Sequence, residues 1–414
     1  MNKKIKALTG GFLIDGTGKD RIRRVDIIIE GSRIKEIGKE GEVKIPENAE
    51  LMDFRGKTIM PSLIDCHVHL MGIKGPSLLA GLMEPGALKS IRAAIDAWKI
   101  LNAGFTTVRD AGSSVAISLK RAIDEGIIAG PRIIAAGLAI SQTAGHGDHH
   151  YLPLSWLKEP KEFAVLADGS EECIKAARQQ IRDGADVIKI FVSGRAISKS
   201  GPLGFQFSMQ AIPEYTPEEI KAVVQEAHKM DKKVMAHALE PNGIKNALES
   251  GVDTIEHGVY LNDEVCEMMK RNGTIYVPTL CLYDRMLREK FDEAIKRNYE
   301  GHLKSFKKAI EFGVKIALGT DTIFPPYFGK NAEELELMVK SGLSPENAIV
   351  AATKTSAEAL GIDKELGTIE KGKIADLLVI NGNPLEDVGI LKDKKRIEAV
   401  FKDGEEIRSL VKDF

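Results

Sequence analysis

The stretch TPEEIKAVVQEAHKMDKKVMAHALEPNGIKNALESGVDTIEHG, residues 216–258, decides the fold class. Its first part reads as a capped helix. Thr216 stands at the N-cap, Pro217 at the first helical position, and Glu219 closes a capping box ahead of an amphipathic run. KVMAHA (233–238) and TIEHG (254–258) are short segments with the length and composition of buried strands. Helix and strand patterns alternating in this way build a parallel sheet through crossover connections. Outward from this stretch the alternation continues: TIMPSLID (58–65), TTVRD (106–110), PRIIAAG (131–137), DVIKIFV (186–192), TIYVPTL (274–280) and KIALGTD (315–321) bring the predicted strands to eight. Helical stretches such as SIRAAIDAWKILNAG and EECIKAARQQIRDGA lie between them. Eight such units imply an α/β protein with a (β/α)8 TIM barrel, whose chemistry gathers at the carboxyl ends of the strands.

The ends of the chain follow a different rule. Residues 1–57 and 364–414 show alternating strands punctuated by Gly and Asn-Gly turns, without helical period. They predict a small β-sandwich domain built from both termini, around a barrel over 58–363. The longest unpatterned segments, 138–165, 193–215, 281–298 and 322–330, follow strands 3, 4, 7 and 8 and are expected as active-site loops. With 43% hydrophobic and 29% charged residues over 414 positions the chain is globular. Its 58 basic and 60 acidic residues leave a net charge of −2, so neither nucleic acid nor an anionic membrane is an expected partner. The first apolar run is broken at Thr9, Gly10 and Gly11, too early for a signal peptide or a membrane span. Four cysteines without C-x-x-C spacing add the expectation of a cytoplasmic protein with reduced thiols.

DCHVHL (65–70) places His67 and His69 at i and i+2, on one face of a strand, where two imidazoles can chelate a metal. The other strand ends are as selective. Strand 4 carries Lys189, strands 5 and 6 end in His237 and His257, and strand 8 ends in Asp321. Imidazoles and carboxylates are ordinary ligands for zinc and its neighbours. Lys189 is flanked by Val187, Ile188, Ile190 and Phe191, so its ammonium would be desolvated and its amine made available to a carbonyl or to carbon dioxide. Three readings stand: a carbamate bridging two metals, a Schiff-base lysine, or a head group that snorkels to solvent. The surrounding histidines favour the carbamate.

This set resembles the amidohydrolase superfamily in its binuclear-metal subtype, strand by strand. The resemblance implies two divalent metal ions, zinc the expected one. His67 and His69 would hold one and His237 and His257 the other, with carboxylated Lys189 bridging and Asp321 serving as ligand and proton acceptor. SQTAGHGD, AHALEPNGIKNALESGVDTIEHG and LSPENAIVAATKTSAEALG are similar to the branch holding Xaa-Pro dipeptidases, zinc-dependent arginine carboxypeptidases and imidazolonepropionase-like proteins. It implies a homo-oligomer acting on a small molecule: amide hydrolysis of dipeptides or N-acyl amino acids, an Xaa-Pro dipeptide first, or of a cyclic imidazolone-type amide as the alternative. Relatives place a histidine at the position of His146, near the substrate, although a loop histidine is also an ordinary solvated group. Tyr215 would donate to a developing oxyanion, or simply pack. Arg195 would hold a substrate carboxylate, or pair with an acid. Glu240, three residues after His237, echoes the H-x-x-E of mononuclear deaminases, a reading that Lys189 opposes.

Overall fold

A computed structural model of the chain describes residues 4–19, 22–75, 81–148, 163–195, 211–289 and 293–407. The N-terminal part supplies β1 (Ile5–Leu13), β2 (Ile22–Glu30), β3 (Arg33–Lys39), β4 (Glu50–Asp53) and β5 (Thr58–Pro61). There follow β6 (Leu63–Val68), β7 (Phe105–Asp110), β8 (Arg132–Ala135), β9 (Ala139–Ser141), β10 (Ala164–Leu166), β11 (Val187–Phe191), β12 (Ser193–Arg195), β13 (Ala211–Pro213), β14 (Lys233–Ala238), β15 (Thr254–His257) and β16 (Ile275–Val277). The last strands are β17 (Leu377–Ile380), β18 (Ile397–Lys402) and β19 (Glu405–Glu406). Two compact units result, one from Met1–Asp65, Lys99–Thr107 and Gly329–Phe414, the other from Cys66–Trp98 and Val108–Phe328.

In the first unit, strands from both ends of the chain share one mixed sheet, ordered β19-β18-β17-β5-β1-β2-β3 with β4 also on β1. The join is β5, parallel to β1 and antiparallel to β17 with Met60 opposite Leu378. Alternation along these strands sends Leu8, Ile27, Ile29, Ile59, Leu377, Val379 and Phe401 into one buried cluster, and Ala7 and Ile28 into another, where Val43 from the β3–β4 connection joins them. This sheet corrects the predicted first barrel strand. The run 58–65 is two strands, because the backbone changes partner between Ser62, whose N–H donates to Asp376 O, and Leu63, whose N–H donates to Gly104 O.

The second unit contains a six-stranded sheet, β10-β9-β11-β14-β15-β16, in which neighbours pair parallel. β6, β7 and β8 form a separate three-stranded sheet in that order. The sheets meet through single backbone bonds, Asp186 N–H donating to Ala135 O at 2.7 Å. The predicted eighth strand forms no regular strand; its Ile316 and Thr322 make isolated parallel bridges to Tyr276 and Val68, and Cys66 N–H reaches Leu318 O. The predicted loop 281–298 is also corrected, since most of its described part is helical, within Leu280–Glu289 and Glu293–Phe312. The helix Pro217–His228 begins as read, with the Thr216 and Glu219 side chains capping each other's backbone. Among the described residues, no helix is long and apolar enough to cross a membrane.

Candidate metal centre

Strand register brings the selected side chains together. Between β11 and β14, Phe191 stands opposite His237, and between β14 and β15, Ala238 stands opposite His257. On the other side, Asp321 N–H donates to His67 O at 2.7 Å and His69 N–H to Thr322 O at 2.9 Å, which locks the HVH segment against the one carrying Asp321. Gly319 permits this approach, because a Cβ there would lie 2.3 Å from Val277 Cγ1 and 2.9 Å from His67 Cβ. His257, Thr279 and Asp321 have φ of 72°, 55° and 49°. These left-handed backbones cost energy in non-glycine residues and aim side chains where a regular strand would not.

The result is a continuous run of imidazoles. Ring centroids are 5.4 Å apart for His69 and His67, 5.0 Å for His67 and His257, 4.4 Å for His257 and His237, and 4.1 Å for His237 and His146. His67, His69 and Asp321 each offer a ligand atom, all within 4.8 Å of one another, and all three residues are buried. Asp321 Oδ1 lies 3.2 Å from His69 Nε2 and 3.6 Å from His67 Nε2. Nε2 of His237 is buried with no hydrogen-bond partner among the described residues, an arrangement that a bound cation would satisfy.

Electrostatics suit these groups to a ligand role. Burial, then the Lys189 charge, pushes His67 down to about 4, and burial pushes His237 and His257 well below the ordinary imidazole value, so these rings are neutral near pH 7. Burial raises Asp321, but His67, His69 and His257 outweigh it and hold the group as a carboxylate. Lys189 is 1% exposed, and burial lowers it to about 8 against the opposing pull of Glu256 and Asp321. Neutral imidazoles and an ionised carboxylate are donors that divalent metals take, and Lys189 gives up its proton more readily than an ordinary lysine, so these residues fit the predicted ions.

The other predicted residues separate. The His146 ring lies against His237 and Phe191, and its backbone N–H donates to Glu214 Oε1 at 2.8 Å. The buried Tyr215 hydroxyl donates to Ala167 O at 2.8 Å. Glu240 caps the helix Pro241–Ser250, accepting from Asn242 and Gly243 N–H. Arg195 ends β12, while its side chain falls outside the described part of the structure.

Sequence reasoning passed over the groups behind the candidate ligands. His67 Nδ1 is 2.6 Å from Glu256 Oε2, and Arg109 donates to Glu256 Oε1 at 2.7 Å, to Cys66 O at 2.6 Å and to Thr254 Oγ1 at 3.2 Å. Burial disfavours the Glu256 charge, yet Arg109 and His67 hold its carboxyl down at about 2. The signal was an acid in TIEHG and a base in TTVRD, both inside strands predicted as buried. Period-two alternation would put Glu256 and His257 on opposite faces, whereas both lie beside His67 because the left-handed backbone at His257 breaks the alternation.

Comparison with known proteins gives the family. The Aspergillus niger ochratoxinase is 33% identical over 97% of this chain and 86% of its own. Its crystal structure superposes with a TM-score of 0.89 at 32% identity, covering 98% and 96% of the two chains. A Xaa-Pro dipeptidase crystal structure with methionine bound in its active site matches at 35% identity and a TM-score of 0.84, over 97% of this chain and 99% of that one. An imidazolonepropionase of Geobacillus thermodenitrificans is 25% identical over 86% of this chain and 82% of its own. These likenesses extend over nearly the whole chain, and the profile of the amidohydrolase family matches residues 58–407, from β5 to the last strand. The chain belongs to the amidohydrolase family and is a hydrolase of C–N bonds.

Proposed function

We propose that this hydrolase is metal-dependent and cleaves the amide bond of dipeptides or N-acyl amino acids, with an Xaa-Pro dipeptide as leading substrate. The observation that supports it is the convergence of His67, His69, His257, His237 and Asp321 in one buried cluster. Lys189 and His146 border that cluster. His67 and His69 would hold one divalent ion and His237 and His257 the second, with Asp321 on the first and carboxylated Lys189 between them; zinc is the expected metal. Such ions supply Lewis acidity and a water that is nucleophilic near neutral pH. Asp321 accepts the proton of the attacking water on its carboxylate and returns it to the leaving nitrogen. His146, and by the sequence argument Arg195, hold the substrate's α-carboxylate and so orient the scissile bond.

The amino acid bound in the Xaa-Pro dipeptidase neighbour supports a pocket for one amino-acid unit. The imidazolonepropionase relative favours the second reading, a cyclic amide as substrate. The backbone bonds that link the two sheets and the 315–322 segment support a (β/α)8 barrel over 58–363, and the shared sheet supports a β-sandwich from 1–57 and 364–414. A cytoplasmic homo-oligomer completes the proposal. The test is elemental analysis of protein prepared with and without bicarbonate, followed by turnover of a dipeptide, an N-acyl amino acid and a lactam. Two metals per chain, abolished turnover in His67→Ala and preference for the linear amides are expected. Full activity without metal would sink the mechanism, and preference for the lactam would transfer the substrate to the cyclic class.

A further inference from the structure

Three histidines of the cluster have their Nδ1 atoms anchored, but by partners of different kinds. Nδ1 of His69 is 2.9 Å from the carbonyl of Gly112, and Nδ1 of His257 is 2.8 Å from the Thr279 hydroxyl. Nδ1 of His67 alone of these three has a carboxylate, Glu256, at hydrogen-bonding distance, 2.6 Å, whereas Nδ1 of His257 is 4.0 Å from Asp321 Oδ2. That carboxylate is 0% exposed and also receives Arg109 and the Thr254 hydroxyl, while the Arg109 guanidinium, 1% exposed, spends its remaining bonds on Cys66 O and Thr254. An ionised carboxylate only accepts. The hydrogen of a neutral His67 ring therefore sits on Nδ1, and the lone pair is left on Nε2, the atom facing Asp321.

Resting on the metal reading above, we infer that Arg109 and Glu256 are positioning residues for His67: the carboxylate fixes its tautomer and ring orientation and strengthens Nε2 as a donor, and Arg109 keeps the carboxylate charged and in place. A carboxylate behind a ligating imidazole raises its basicity more than a carbonyl or a hydroxyl does. The His67 side of the cluster is thus the side on which the first metal is held most firmly, with Glu256 responsible for that preference. The pair spans three strands, since Arg109 lies on β7, Glu256 on β15 and the accepting Cys66 carbonyl on β6.

Removing one member leaves a buried unpaired charge, so single variants risk failing to fold. The test is the double variant Arg109→Met with Glu256→Gln, which removes both charges at nearly constant shape. Zinc affinity is measured by chelator competition beside the thermal midpoint. A folded double variant whose first zinc binds about 10- to 100-fold more weakly is the expected result. Wild-type zinc affinity in the folded double variant would overturn the inference and leave the pair a purely structural one. Should the double variant not fold, the wild-type protein decides. Histidine labelled with nitrogen-15 in metal-free protein should show His67, assigned by its loss in His67→Asn, protonated on Nδ1, and protonation on Nε2 would refute the assignment. A wild-type chain that binds no zinc refutes the metal reading itself, while the tautomer still decides the role of Glu256.

Discussion

Glu214 shows how a single side chain ties the site to its supporting loop. Its Oε1 accepts the backbone N–H of His146, and Cβ atoms built on Gly145 and Gly194 would fall 2.6 and 1.9 Å from its carboxyl oxygens. Glycine at both positions is thus what lets the carboxyl fit. Its second oxygen, Oε2, has no hydrogen-bond partner among the described residues, and burial pushes the group up to about 7 from an ordinary 4.5. The sign follows from proton counts. Between about pH 4.5 and 7 the unfolded chain has lost this proton while the folded chain keeps it, so folding stability falls as pH rises through that window. Glu214→Gln retains an acceptor for His146 and cannot ionise. Its stability relative to wild type should therefore improve between pH 4.5 and 7 by on the order of 1–3 kcal/mol, read from urea unfolding at both ends of the range. Parallel stability curves for the two proteins would show that the carboxyl does not titrate in this window.

Among the elements, the helix Pro241–Ser250 explains an ambiguity in the sequence. The H-x-x-E spacing of His237 and Glu240 resembles a catalytic pair, but the Glu240 carboxylate faces the start of this helix and accepts from Asn242 N–H at 2.7 Å and Gly243 N–H at 2.5 Å. Those amides have no partner inside the helix, and a negative charge also suits the positive end of its dipole. Gly243 is required by crowding, since a Cβ there would meet Ser193 Cβ at 2.6 Å and Glu240 Oε1 at 2.8 Å. Glu240→Ala should lower stability by about 0.5–2 kcal/mol while metal content stays at the wild-type value. Loss of metal from the folded variant would return Glu240 to the site. The helix Leu280–Glu289 carries the opposite lesson. Its lack of a clear period suggested an active-site loop, yet it is helical, with Arg285 buried, donating to Thr322 Oγ1 at 2.8 Å and stacked 4.5 Å from the Tyr327 ring centroid. A buried charge disguises an amphipathic pattern when its partners lie far along the chain.

For the whole molecule, the cluster is a set of costly groups assembled in advance. Neutral imidazoles, Asp321 and Lys189 lose water on burial, and the unfolded chain holds no such array. Metal should therefore bind the native state far better than the unfolded one and raise its stability, by about 2.7 kcal/mol at a free concentration of 100 times the Kd. Chelated protein should unfold at a lower temperature than metal-loaded protein, with the midpoint rising as metal is titrated back. Identical midpoints would mean that no ion binds the native state selectively.

The sequence by itself determined what depends on local period and residue type. Alternating helix and strand patterns, the Thr216–Glu219 capping box and donor residues at strand ends are properties of neighbouring positions, and they are legible in the linear chain. Tertiary structure alone decided whatever needs two distant segments to meet. Ser62 exchanging one sheet for another, Tyr215 giving its proton to Ala167, and Glu256 and Arg109 gathering behind His67 each rest on partners far apart in the chain, 48 residues for Tyr215 and Ala167 and 189 for His67 and Glu256. The physical reason is that a hydrogen bond or ion pair is fixed by separation in space, while sequence pattern reports only which face of its own element a side chain will take.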